Sequence, residues 1–380
     1  MHITRALLYP LEVPMTKPIK MAGETVTHAQ TLLLRLIDDC GREGWGEASS
    51  APLMTGETLG SITANTEYLV SKLMGAGIAD PAAIAPLQER VLYGNASAKS
   101  CHETALMDLF AQAAGVPLYH LLAGNSLPAA PVRLEMLHML ASGNLDLELD
   151  EAQRMRQQGY LQWKIKVGSG DTAQDVKRIH ALCAALKGDV VSADANTALT
   201  VDAAEEIAAA GVAAGMRFLE QPYRTDMIDA MARLHRVSGL ALCADESIQG
   251  VADIAAHAEA GAAQGISLKL IKIGGTQALV AAGRLCLARG LAINLACKMA
   301  ETTISAAATA HAGMALGDLA WGFSMTNRYL AADVCAQPLA PQGGAVSSAQ
   351  LDRPGLGFVP DADRLREFAS ATLPMREFRV

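Results

Sequence analysis

The chain has 380 residues, 51% of them hydrophobic and 18% charged, with a net charge of −8. That length exceeds the usual span of one hydrophobic core and predicts a large domain with a smaller one beside it, and the composition excludes a disordered chain. The acidic balance, with no long basic run, excludes a nucleic-acid partner, and no stretch of roughly 18 uninterrupted apolar residues is available to span a membrane.

The first residues, MHITRALLYPLEVPMTK, lack the layout of a signal peptide. Seven cysteines stand singly with no C-x-x-C pair. That pattern predicts reduced thiols in a cytoplasm, and neither disulfides nor a zinc site. ITRALLYPLEV and TLLLRLIDD then read as strands, DDCGREG as a turn and WGEAS as the returning strand of a hairpin. Two segments, 14–28 and 49–60, read as polar loops that are either plain surface or lids. Helical patterns follow, from ETLGSITANTEYLVSKLM to CHETALMDLFAQAAG.

From about residue 130 short apolar runs alternate with Ala-rich helical stretches. The runs are 132–139, 162–167, 189–195, 216–222, 240–247, 266–273, 291–298 and 319–325. Strands alternating with helices imply parallel strands joined by crossovers. Eight such units imply an α/β fold with a closed TIM-type (β/α)8 barrel rather than an open sheet. The expected organisation is an α+β capping domain over 1–125, a barrel of seven to eight units over 126–345, and a C-terminal segment, 346–380, that returns to the cap.

Most runs end on polar residues. Lys164 and Lys166 sit on the second run, Asp194 and Asn196 end the third, Glu220 ends the fourth, Asp245 and Glu246 end the fifth, Lys269 sits in the sixth, and Lys298 and Glu301 end the seventh. Taken singly, each has an ordinary explanation: a helix N-cap, a turn acid, or a lysine reaching the rim. Together they repeat at the period of one βα unit, and the ends of successive barrel strands converge on one mouth. Three carboxylates brought that close repel unless a cation lies between them. All-oxygen ligands select Mg2+, with Mn2+ as the alternative, over zinc. In a strand, Lys164 and Lys166 leave the same face with their roots about 7 Å apart. A proton abstracted next to a carboxylate leaves an enolate that a metal can stabilise. The base must be neutral near pH 7, and a second ammonium group nearby lowers a lysine's pKa by repulsion. Lys164 is therefore expected to tune the site and hold the substrate carboxylate, Lys166 to take the proton, and Lys269 to deliver one to the opposite face.

The motifs K-I-K (164–166), D-A-N (194–196), EQP (220–222), ADES (244–247) and SLKLIKIGG (267–275), with GVPLYHLLAG (115–124) and PGLGF (354–358), cover nearly the whole chain. They resemble the enolase superfamily in its muconate lactonizing enzyme subgroup. The resemblance implies an α+β cap over a modified barrel, Mg2+ held by Asp194, Glu220 and Asp245, and Lys166 with Lys269 as the acid/base pair. It also implies a small-molecule carboxylate substrate and a homo-oligomer, a symmetric dimer or octamer. The mandelate racemase subgroup would carry a histidine on the seventh strand, where this chain reads LAINLACKMAE. The subgroup racemises or epimerises, cycloisomerises, or eliminates water from one kind of enolate. Lysines on both faces favour racemisation or epimerisation of an amino-acid derivative, with a muconate-type cycloisomerase or a hydroxy-acid dehydratase as the alternative. The dipeptide epimerases of the subgroup share a D-x-D after the eighth strand, where FSMTNR stands here.

The remaining candidates are substrate contacts. Lys298 is either a solvated rim lysine or a partner for a second polar or anionic group of the substrate. Glu301 is either a first-turn helix acid or a residue near the site. Trp321 and Phe323 are core or pocket lining, and a tryptophan there can stack on a cationic amine. Glu135 and His138 on the first barrel run are further pocket candidates. Cys297 reads as a small buried hydrophobe. The early loops, around Lys17, Lys20, Met21 and Met54, are expected to close over the site and select the substrate.

Overall fold

The computed structural model describes residues 1–21, 24–127, 132–317 and 319–380, with the backbone alone for residues 19–21 and 24–25. Strands β1 (Ile3–Met21), β2 (Glu24–Asp38) and β3 (Glu43–Ser49) open the chain. β4 (Arg133–Glu135) precedes the barrel strands β5 (Leu137–Leu140), β6 (Gln162–Lys166), β7 (Val190–Asp194), β8 (Phe218–Glu220), β9 (Ala241–Ala244), β10 (Gly265–Leu268), β11 (Ala292–Ala296) and β12 (Phe323–Ser324). β13 (Ala345–Ser347) and β14 (Arg376–Arg379) follow. Strands β5 to β12 form one parallel sheet in chain order, and a bridge between Met136 and Phe323 joins its two ends into a barrel. The cap sheet is antiparallel in the order β14-β1-β2-β3, so the chain's last strand pairs with its first. Among the described residues no helix is long and apolar enough to cross a membrane.

Three sequence expectations need correction. Within the polar segment 14–28, residues 14–21 and 24–28 are no free loop: β1 and β2 extend into it as paired strands, with a register shift between Pro14 and Ile19. Ladder hydrogen bonds are made by the backbone, so polar side chains do not bar a strand. The first barrel run is split, because β4 leaves the barrel to pair antiparallel with β13. The sixth run is half strand, since Leu270–Ile273 turns into a short helix directly after Lys269.

Close backbone approach fixes how the cap packs. Gly44 and Gly46 on β3 lie under the helix Ala96–Ala113, where a methyl group would overlap the carbonyls of Ala105 and Cys101. The same helix carries Glu103, which is buried and reaches the barrel. Its carboxylate accepts from Thr276 N (2.7 Å), Gln277 N (3.0 Å) and Thr276 Oγ1 (3.0 Å). These are open donors at the start of the helix Thr276–Ala288, whose own N-cap, Gly275, has no side chain to supply. Glu47 on β3 serves the helix Thr303–Leu316 in the same way, accepting from Thr302 N (2.9 Å), Thr302 Oγ1 (2.7 Å) and Ser305 N (2.8 Å). Two cap carboxylates thus close two barrel helices, the ones after β10 and β11.

Replacing Glu103 with Ala leaves buried N–H donors without an acceptor. The expected cost is about 2–4 kcal/mol of unfolding free energy, measured by urea titration, with a smaller loss for Glu103→Gln. A loss under about 0.5 kcal/mol, the usual size for a surface substitution, would contradict this account.

Candidate active site

Parallel register lines up the charged strand ends. Lys166 pairs with Asp194 across β6 and β7, and Asp194 with Glu220 across β7 and β8. Asp245 and Lys269 each stand one residue past β9 and β10. Side-chain alternation then turns Lys164 and Lys166 into the barrel, and Trp163 and Ile165 outward into the buried layer under the helices. The result is a cleft of about 650 Å³, mouth included, lined by Lys164, Lys166, Asp194, Glu220, Asp245 and Lys269 among others.

Within it the charges are crossed. Lys166 Nζ donates to Asp194 Oδ2 (2.5 Å) and Asn196 Oδ1 (2.6 Å). Lys164 pairs with Glu220, and Lys269 with Asp245. All three acids are at most 3% exposed, so their ionisation depends on these partners. Burial raises the Asp194 carboxyl, but Lys166 and Lys164 outweigh it and hold its pKa below the usual range. Burial also raises Asp245, yet Lys269 and Lys272 bring it down strongly. Glu220 ends at about 7: burial raises it, Lys164 lowers it, and the charges of Asp194 and Asp245 raise it again. Burial works against the ammonium groups of Lys164 and Lys269, but the surrounding carboxylates raise both.

Two further residues brace this centre, and sequence reading passed over both. Lys272 is buried and donates to Asp245 Oδ1 (2.6 Å) and to the Ser267 carbonyl (3.1 Å); burial lowers its pKa despite Asp245. In a strand it would face away from Lys269; the helical turn after Lys269 brings it back. Gln221, held at a positive φ of 35°, accepts through Oε1 from Asp245 N (2.8 Å) and Ser247 Oγ (2.9 Å). EQP and ADES were legible as motifs, but this bond between them was not. Asn196 links Lys166 to Glu246, donating to its Oε1 at 2.9 Å.

Lys298 and Met54 line the cleft, with Met139, Met299, Met325 and Tyr329 beside them. Met54 is held over it by Gln249 Nε2, which donates to its carbonyl (3.0 Å). The hairpin arm docks beside Tyr329, where Thr16 Oγ1 donates to the Tyr329 carbonyl (3.1 Å). Lys17 is exposed; the side chains of Lys20 and Met21 lie outside the described residues. Cys297 is buried as expected and touches the cleft wall.

Other candidates are not at the cleft. Trp321 is buried in a separate cluster with Leu137, Phe218 and Cys243, its ring stacked on Phe218 at 4.1 Å; β12 is only two residues long, and Trp321 precedes it, below the strand ends. Phe323 is fully buried core. His138 points outward between strand and helices, bonded to Glu151 (3.0 Å) and Arg328 (2.9 Å), because Leu137 and Met139 take the inward positions. Glu135 pairs with Arg133 on β4. Glu301 lies behind the wall, 1% exposed, where Oε2 accepts from Lys298 N (3.1 Å).

Three buried carboxylates crowded enough to raise one of their number to about 7 are an all-oxygen donor set, the chemistry of Mg2+ or Mn2+. The residues fit such an ion, which would compete with the lysine ammonium groups for the same oxygens. Among the described residues, Asp38, Asp39 and Cys40 are the set with three ligand atoms within 4.8 Å of one another, but Asp39 and Cys40 are exposed and the buried Asp38 is already bound by Arg42 (2.7 Å).

Comparison with known proteins places this geometry. Residues 5–123 match the mandelate racemase / muconate lactonizing enzyme N-terminal domain, and residues 148–364 the enolase C-terminal domain-like family. The chain is 30% identical over 369 residues to a chloromuconate cycloisomerase of Cupriavidus pinatubonensis, covering 95% of this chain and 97% of that one. It is 28% identical to the L-Ala-D/L-Glu epimerase of Bacillus subtilis, covering 94% and 97%. The crystal structure of muconate lactonizing enzyme from Pseudomonas fluorescens complexed with muconolactone superposes with a TM-score of 0.90 at 29% identity, covering 97% of this chain and 99% of that one.

Glu301 sets a pH test. Burial and then the nearby Glu47 charge push it up to about 8, against a partial offset from Lys298. An acid whose folded pKa is raised holds its proton longer in the folded state, so folding loses stability as pH rises from about 4.5 to about 8. Glu301→Gln, which stays neutral, is expected to raise Tm relative to the unsubstituted protein at pH 8 and to leave it unchanged or lower at pH 5. An equal Tm difference at both pH values would contradict the buried protonated acid.

Proposed function

This chain belongs to the mandelate racemase/muconate lactonizing enzyme family and is an isomerase of the enolase superfamily, and from that premise we propose that it exchanges the proton α to a substrate carboxylate through an enolate, racemising or epimerising an amino-acid derivative. One observation carries the choice of reaction: Lys166 on β6 and Lys269 after β10 stand four strands apart in an eight-stranded barrel, on opposite sides of one cleft. Inversion at carbon needs a base on one face and an acid on the other, and this pair supplies both.

Asp194, Glu220 and Asp245 would hold Mg2+, or Mn2+, which when bound supplies Lewis-acid stabilisation of the enolate oxygens. Lys164, kept charged by Glu220 and Asp194, orients the substrate carboxylate. Lys166, the less buried of the strand's two lysines, takes the α-proton, and Asn196 holds its Nζ in place. Lys269 returns a proton to the other face, its position fixed through Asp245 and Lys272. Gln221 and Lys272 keep Asp245 from swinging as charge moves, so the site does not have to reorganise during the reaction. Met54, brought by the cap loop, and Tyr329, which follows β12 and has the arm docked on its carbonyl, narrow the cleft against water.

The cycloisomerase reading has its own support, since a chloromuconate cycloisomerase is among the relatives. Proton NMR in D2O with Mg2+ separates the two, over a panel of N-acyl amino acids, proline derivatives and muconates. Loss of the α-proton signal with inversion and no new compound is expected, with Lys166→Ala and Lys269→Ala each lowering turnover by about 10²-fold or more. A lactone as product would replace this reading with cycloisomerisation. Turnover that survives both substitutions would refute the two-lysine mechanism.

A further inference from the structure

The main chain under Lys166 is held differently from the main chain under Lys269. In a trans peptide the N–H and the C=O point in opposite directions. The Val167 N–H donates to the Asp194 carbonyl on β7 (3.0 Å), so the Lys166 carbonyl points the other way, toward β5. The β5–β6 ladder has ended by then: its register runs from Leu137 and Gln162 to Leu140 and Ile165, one residue short of Lys166. A side chain from the helix Thr172–Ala185 takes the place of the missing strand, with Arg178 Nη1 donating to the Lys166 carbonyl at 3.0 Å. Lys269 is held by its own chain. The helical turn after it folds back, and its carbonyl accepts from Lys272 N (3.2 Å) and Ile273 N (3.3 Å).

Arg178 is itself aimed by two carboxylates. It donates to Glu148 Oε2 through Nε (2.9 Å) and to Glu148 Oε1 through Nη2 (2.8 Å), and a bidentate pair of this kind fixes the plane of the guanidinium. Nη1 also donates to Asp175 Oδ1 (2.6 Å). The other oxygen of Asp175 accepts from Gly168 N (2.8 Å), so one network grips the chain on both sides of Val167. Glu148 Oε1 accepts from Gly143 N (2.9 Å), which ties the network to the segment leaving β5. All three side chains are at most 4% exposed. Apolar residues of like volume often replace a buried ion cluster with no loss of stability, so stability alone does not account for this one. Apolar residues could neither donate to the Lys166 carbonyl nor accept from Gly168 N.

We propose that Arg178 is a positioning residue for proton transfer at one face of the substrate: it fixes the root of Lys166 and leaves Lys269 untouched. This rests on the enolate reading, in which the two lysines serve opposite faces, and adds that one face depends on a guanidinium that does not line the cleft. Misplacing a reacting group by about 1 Å can cost roughly 10²-fold in rate, and the cost here falls on the Lys166 face alone.

The test follows loss of the α-proton in D2O with Mg2+ for each enantiomer of a set of N-acetyl amino acids, taken separately. Lys166→Ala identifies the enantiomer whose proton Lys166 takes, and Lys269→Ala the other. Arg178→Lys keeps the charge and loses the fork. It is expected to slow exchange of the Lys166-side enantiomer by about tenfold and of the other by less than about twofold. Asp175→Asn, a milder change, is expected to move the ratio in the same direction and carries the test should Arg178→Lys fold poorly. A smaller folded fraction lowers both rates equally, so the ratio separates positioning from stability. Amide hydrogen exchange without substrate, read by mass spectrometry, is the second measurement. Arg178→Lys is expected to speed exchange over 164–168 and leave 266–273 unchanged. Equal slowing of the two enantiomers, or unchanged amide exchange over 164–168, would overturn the proposal. An unsubstituted protein that exchanges neither enantiomer contradicts the proposed reaction alone, and the amide exchange then decides whether Arg178 fixes the end of β6.

Discussion

Three carboxylates that end adjacent strands of a parallel barrel cannot all stay ionised in a buried site unless positive charge is brought to them, and much of this fold arranges that supply. β6 delivers Lys164 and Lys166 to Glu220 and Asp194, and the turn after β10 delivers Lys269 and Lys272 to Asp245. The acids divide the compensation unevenly. Asp194 and Asp245 each face two lysines and are held ionised, while Glu220, between them, absorbs the repulsion and rises to about 7. A centre balanced in this way is poised for a divalent cation, because an ion of charge two relieves the repulsion that the lysines only partly offset.

The capping domain is part of that balance. Its buried Glu103 and Glu47 cap the helices Thr276–Ala288 and Thr303–Leu316, so the cap reaches the barrel beside the charged strand ends through hydrogen bonds as well as by covering them. Glu47 also lies close enough to Glu301 for their charges to interact, and Glu301 in turn holds the main chain of Lys298. Glu47's hydrogen bonds to Thr302, the residue after Glu301, tie the cap to the far wall of the cleft, and the same cap contributes Met54 and the docked arm beside the mouth.

The barrel and the ring of charged strand ends were legible because both are periodic: one βα unit per step, with the polar residue at the end of each apolar run. What escaped was aperiodic. Lys272 was hidden because LKLIKI has the composition of a strand, yet Lys269 ends the strand and the next four residues turn helical. For Trp321 the sequence leaves core and pocket both open, because residue type says nothing of depth along a strand; β12 begins only after it, and the core reading holds. His138 was a pocket candidate, but the two-residue period, counted from Leu137 and Met139, puts it outside. The arm over 14–28 looked like a loop because its prolines and lysines obscure a ladder made by the backbone. The Gln221–Asp245 bond joins two motifs that sequence shows only as neighbours in a pattern.

The account stands on Asp194, Glu220 and Asp245 acting as one divalent-cation site. The most direct test is a crystal structure grown with excess Mn2+ and read at the manganese absorption edge. A single anomalous peak bounded by those three carboxylates, with Lys166 and Lys269 on either side, is the predicted result. No peak there, or a peak only at the Asp38–Asp39–Cys40 turn, would contradict the metal centre and with it the enolate chemistry assigned to the cleft.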